Sequence, residues 1–113
     1  MTAGLDWNDR DYPDTDPRSA SQAMIRSHDW IKFVLEKKVI DTPGKKFIYS
    51  NGLTMLLSEI LRNATGVYAD KFAEKYLFGP LGISDFSWQK LPEGTVITAW
   101  GLKLRPRDMA KIG

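Results

Sequence analysis

A mainly α domain, with room for a short strand pair, is what this sequence predicts, and three observations carry that reading. Apolar residues recur at helical spacing in three stretches, Ser19 to Lys38, Leu53 to Leu61 and Tyr68 to Leu77. Residues that start and stop helices flank them: Ser27 or Asp29, Ser50 and Asn51 at starts, Thr65-Gly66 and Gly79-Pro80 at ends. Strand-like runs are brief, Lys45 to Ser50 and Val96 to Trp100.

The elements follow in chain order. Met1 to Arg18 lacks periodicity and is rich in Asp, Pro and Asn, so it reads as a loop, whose Trp7 and Tyr12 need a surface to pack on. Met24, Ile25, Ile31, Phe33, Val34 and Leu35 then mark a short helix and a second one, which ends in Lys37-Lys38, where cations suit the C-terminal dipole. Val39 to Gly44 is a turn, and the Pro43-Gly44 pair feeds the strand-like run with Phe47 and Tyr49 on one face. A central helix follows, capped by Ser50 or Asn51, with Leu53, Leu56, Leu57, Ile60 and Leu61 expected to be its buried stripe.

Gly66 is free to take the left-handed conformation of a helix stop. Phe72, Tyr76 and Leu77 face away from Lys71, Glu74 and Lys75, which makes a third amphipathic helix. The pattern turns irregular from Ile83 to Leu104. Pro106 to Gly113 looks like the first turns of a further helix, expected to be cut short, with proline at a permitted first position.

Composition bounds the rest. A chain of 113 residues with 42% hydrophobic and 12% aromatic content fits one small domain with an ample core. Lys plus Arg number 16 against 14 Asp plus Glu, and the basic residues are scattered, so nucleic acid is not an expected partner. The absence of cysteine excludes disulfides, thiolate nucleophiles and thiolate metal sites. A single histidine, His28, and no clustered carboxylates fall short of a zinc ligand set, so no metal or other cofactor is expected. No apolar run approaches the ~20 residues of a membrane span, and no signal-like apolar core follows Met1-Thr2-Ala3-Gly4.

The stretch with chemical content is Phe47-Ile48-Tyr49-Ser50-Asn51. It sets a phenol just before a helix, where unpaired backbone N–H groups and the dipole favour developing negative charge. Spacing alone favours a core aromatic whose hydroxyl meets a helix N–H.

Four stretches together change that balance: Met1-Thr2-Ala3-Gly4-Leu5, Pro43-Gly44 through Tyr49-Ser50-Asn51, Thr65-Gly66 followed by Pro80-Leu81-Gly82-Ile83, and Trp100-Gly101-Leu102 with Pro106-Arg107-Asp108-Met109-Ala110-Lys111. In order and spacing the chain resembles the serine β-lactamase and penicillin-binding-protein superfamily, in its class C and esterase-like branch, with 6-aminohexanoate-dimer (nylon oligomer) hydrolases nearest by pattern. The resemblance implies a helical subdomain packed on an antiparallel sheet flanked by helices. It also implies an acyl-serine hydrolase built from a Ser-x-x-Lys, a Tyr-x-Asn and a Lys/His-x-Gly strand. Tyr49 then matches the proton-transferring tyrosine and Asn51 the asparagine that holds substrate.

By the same pattern the nucleophile belongs upstream of Met1 and the Lys/His-x-Gly strand downstream of Asp108, and the cations that act on Tyr49 are expected outside the chain. The one Ser-x-x-Lys, Ser87-Trp88-Gln89-Lys90, follows the tyrosine instead of preceding it, and Pro92 opposes a helix there. Ser50 reads as a cap, Asp108 as a first-turn carboxylate. Trp88 and Trp100 fit either a cleft wall for uncharged amide or ester substrates or plain core. The competing reading is a stand-alone helical binding module without catalysis. A third expectation is that the fragment self-associates through the apolar face bared where a sheet domain is cut away.

Overall fold

The structure, a computed structural model, describes residues 1–13 and 15–113. The chain forms two compact units, Met1–Leu56 and Leu57–Gly113.

In the first unit α1 (Ala20–Arg26) and α2 (Trp30–Leu35) pack together ahead of the start of α3 (Asn51–Thr65). Asp29 caps α2 as expected, its carboxylate accepting the Lys32 N–H at 2.9 Å. The helix ends at Leu35, just before the Lys37-Lys38 pair assigned to its terminus. Lys37 has another use, because its ammonium lies 4.3 Å over the Phe33 ring.

The opening loop does have a packing surface. Trp7 is 5% exposed, edge-on to Phe33, with Met24, Val34 and Met55 also buried. Backbone bonds hold the loop along residues 38–48: Asp6 N–H to Lys38 O at 2.8 Å, Ile40 N–H to Gly4 O at 2.8 Å, Gly44 N–H to Thr2 O at 2.7 Å. Gly4 lies at φ +72° with the Asp41 carbonyl directly against its Cα, a place no side chain fits.

Lys45 to Ser50 is not the strand expected. Ile48 N–H reaches Met1 O, yet no ladder forms among the described residues, because the opening segment meets this stretch at single points. Ser50, not Asn51, is the cap of α3: its hydroxyl accepts the Leu53 N–H at 3.1 Å, and Asn51 is the first helical residue.

The expected stripe of α3 is also displaced. Leu57 and Ile60 are exposed (56% and 60%) and Leu53, Leu56 and Leu61 half-buried, while Gly52, Met55 and Ser58 are buried. Residues three apart share a helix face, so the inward face is the one with the smaller side chains, and a leucine-weighted reading selects the wrong side.

In the second unit Gly66, at φ +75°, stops α3 and returns its N–H to Arg62 O. Then α4 (Ala69–Ala73) widens into a π-helical turn, Glu74–Phe78, that ends on Phe78, 1% exposed and 4.7 Å from the Phe86 ring. The short strand pair exists, but as β1 (Phe86–Trp88) antiparallel to β2 (Leu102–Leu104), with Ser87 opposite Lys103.

Val96 to Trp100, expected as a strand, contributes one isolated bridge to Lys90. Thr95, Val96 and Ile97 are buried in succession, which no half-exposed strand allows. Finally α5 (Pro106–Ile112) starts on its proline, as predicted. Its buried Asp108 accepts from Arg105 Nε at 3.1 Å and from Lys111 Nζ at 2.8 Å. The Lys111 bond, then that of Arg105, holds this carboxyl below its ordinary value despite the opposing cost of burial. No helix among the described residues is long and apolar enough to cross a membrane.

Candidate functional site

Tyr49 and Asn51 are together. The Tyr49 hydroxyl donates to Asn51 Oδ1 at 3.0 Å, and the ring is 38% exposed at the loop-to-helix junction. Ser50, between them, points inward and is 1% exposed, as a capping hydroxyl should be. The alternation of a two-residue step in extended backbone therefore puts phenol and carboxamide on the open side and the serine on the closed side.

Three residues that the sequence reading does not single out, Asp9, Asn8 and Ser21, complete this corner. Asp9 accepts Ser21 N–H at 3.0 Å and Ser19 Oγ–H at 3.3 Å on Oδ1, then Ser21 Oγ–H at 2.8 Å and Asn51 N–H at 3.2 Å on Oδ2. One carboxylate thus serves the first turns of both α1 and α3, where orphan N–H groups and the dipole favour an anion. Asn8 adds to the same end of α1, its Oδ1 accepting the Ala20 N–H at 2.8 Å. Asn51 Nδ2 in turn donates to Ser21 Oγ at 3.1 Å. Nothing local announces these partners, since Asp9 and Asn51 are 42 positions apart.

A cation from this chain does flank the phenol. Arg10 places its guanidinium 5.5 Å from the Phe47 ring centroid and 6.0 Å from that of Tyr49. Arg10, Phe47 and Tyr49 share an open cleft with Asp6, Asp11 and Lys46, so charge of both signs surrounds the aromatic floor.

The remaining candidates lie in the second unit or carry no chemistry. Trp88 is half-buried in β1 and donates its indole N–H to Ile97 O at 2.9 Å, and Trp100 is half-buried ahead of β2. Ser87 and Lys90 are not a helical Ser-x-x-Lys: Ser87 is an exposed strand residue, and Lys90 is engaged by Asp70 at 2.6 Å. His28 is exposed, one position before the α2 cap. Among the described residues no three His, Asp or Glu side chains gather as a metal site would require.

The family whose model fits the sequence is beta-lactamase, over residues 1–112. No curated protein matches the chain.

Proposed function

The chain belongs to the beta-lactamase family, and from that premise we propose that it forms one wall of the active site of a serine hydrolase cleaving amide or ester bonds in small molecules. The finer kinship we propose is with class C enzymes and 6-aminohexanoate-dimer hydrolases. The nucleophile and the Lys/His-x-Gly strand come, in this reading, from polypeptide outside these residues, since the one Ser-x-x-Lys, Ser87 to Lys90, starts in a strand and the one Lys-x-Gly, Lys111 to Gly113, closes a helix. The observation that carries the reading is the exposed Tyr49 phenol hydrogen-bonded to Asn51 at a helix start.

In the complete site the serine Oγ bonds to the substrate carbonyl carbon, whose C=O π electrons move onto the oxygen; the serine proton passes to the Tyr49 oxygen as the lysine of the Ser-x-x-Lys takes the phenol's own proton. The C–N or C–O bond then breaks, and Tyr49 returns the proton to the departing nitrogen or oxygen. Water repeats the sequence on the acyl-serine and frees the acid. Asn51 holds the substrate through its carboxamide. Trp88 and Trp100 are proposed as aromatic walls for uncharged substrate chains.

The experiment is a chromogenic ester and β-lactam assay with an acylserine-trapping probe, run on residues 1–113 and on the reading frame extended in both directions. The expected result is an inert, unlabelled short chain and an active extended protein whose turnover Tyr49→Phe abolishes. A labelled serine within residues 1–113, or an extended protein that binds substrate without turnover, overturns it; the latter is the behaviour of a helical binding module.

A further inference from the structure

We infer that Ser21, held by Asp9, is a positioning residue that fixes which end of the Asn51 carboxamide faces Tyr49; its bearing on catalysis rests on the function proposed above. An ionised carboxylate only accepts hydrogen bonds, and Asp9 is the acceptor in all four of its contacts, two from hydroxyls and two from backbone N–H groups. The single hydroxyl proton of Ser21 is therefore committed to Asp9 Oδ2, at 2.8 Å. Its Oγ can only accept on the side facing Asn51, and it is 3.1 Å from Nδ2.

The consequence passes straight through the amide. With Nδ2 required at Ser21, Oδ1 is turned to Tyr49, whose hydroxyl donates to it at 3.0 Å. Reversing the amide would set Oδ1 against the lone pairs of a Ser21 oxygen with no proton to give, whereas the Tyr49 hydroxyl, which can accept as well as donate, tolerates either end of the amide. The conflict at Ser21 makes the reversed state unfavourable, because two facing acceptors with no proton between them forfeit a hydrogen bond. Ser21 is 7% exposed, so water does not substitute for the lost partner. The direction of donation thus runs one way, Tyr49 to Asn51 to Ser21 to Asp9, and the phenol proton has a defined acceptor before substrate arrives.

Ser21→Ala is the test, because it removes the acceptor for Nδ2 while leaving Asp9 to accept the backbone N–H groups at positions 21 and 51. Nuclear magnetic resonance on the 113-residue chain reads the Asn51 side-chain amide directly. In the parent chain we expect slowly exchanging amide protons with contacts to residue 21. Ser21→Ala loses that protection and brings the amide protons into contact with the Tyr49 ring, while Ser21→Thr, which keeps the oxygen, restores the parent pattern. Asp9→Asn supplies a second route to the same loss. Unchanged amide contacts in Ser21→Ala overturn the inference. Kinetics of the extended protein form the second arm, with kcat/KM expected to fall by about tenfold or more in Ser21→Ala and to recover in Ser21→Thr. A reoriented amide with unaltered kinetics leaves the positioning intact and instead removes Tyr49 and Asn51 from the proposed chemistry.

Discussion

The Trp7 indole presses its six-membered ring against Gly52: a Cβ on that glycine would fall 2.6 Å from Trp7 Cζ3 and 2.9 Å from Val34 Cγ2. Gly52 is thus required by space, where the start of α3 crosses over the tryptophan. We predict that Gly52→Ala costs about 1–3 kcal/mol through overpacking, read as a lower urea midpoint at unchanged slope. An unaltered midpoint would show that the indole has room to move.

Within α3, Met55 is fully buried and Leu57 is 56% exposed. Met55→Ala is expected to lose about 2–5 kcal/mol by leaving a cavity, whereas Leu57→Ala stays within roughly 0.5 kcal/mol. Thermal melts of the two variants side by side check the assigned face, and the opposite ranking would restore the leucine stripe.

The exposed Leu57 and Ile60 also bear on association. We predict that the chain forms dimers or larger species and that the double change Leu57→Lys with Ile60→Lys shifts it toward monomer without loss of helix. Sedimentation velocity decides this. A monomeric parent chain at high concentration would refute it.

Tyr49→Phe leaves the fold in place, since the hydroxyl makes one exposed bond worth about 1 kcal/mol or less. In the extended protein the same change should lower kcat/KM by about 10²–10⁴-fold. Stopped assays on matched, folded variants separate the two effects.

Asp108 supplies a pH-dependent contribution. Its folded carboxyl is held below the ordinary 3.8, first by the Lys111 bond, so its contribution to stability is complete above that ordinary value and is lost as pH falls through the lower, folded one. Asp108→Asn should therefore melt earlier than the parent at neutral pH, and the gap should close in acid below pH 3.8. A gap independent of pH would assign the effect to packing.

Much of this was legible in residue order. The Asp29 cap, the Gly66 stop and the proline start of α5 are local effects, decided by neighbours within a turn. The Tyr49–Asn51 pairing was legible only through a family pattern. The inward face of α3 was not, because Trp7, arriving from far away in sequence, selects Gly52 and leaves Leu57 and Ile60 outward. The roles of Asp9 and Ser21 were hidden for the same reason, as a carboxylate in an Asp-rich loop looks like solvent-facing charge until its partners are brought to it.

That carboxylate has a consequence for the order of events in folding. Helices α1 and α3 can each begin from nearby residues, but the corner joining Tyr49 to Ser21 closes only when the opening loop has returned across 42 positions to Asn51. Site assembly thereby depends on a long-range closure, and a cut in the chain just after Asp9 would loosen the carboxylate from the first turns of both helices and leave the phenol without an organised neighbour.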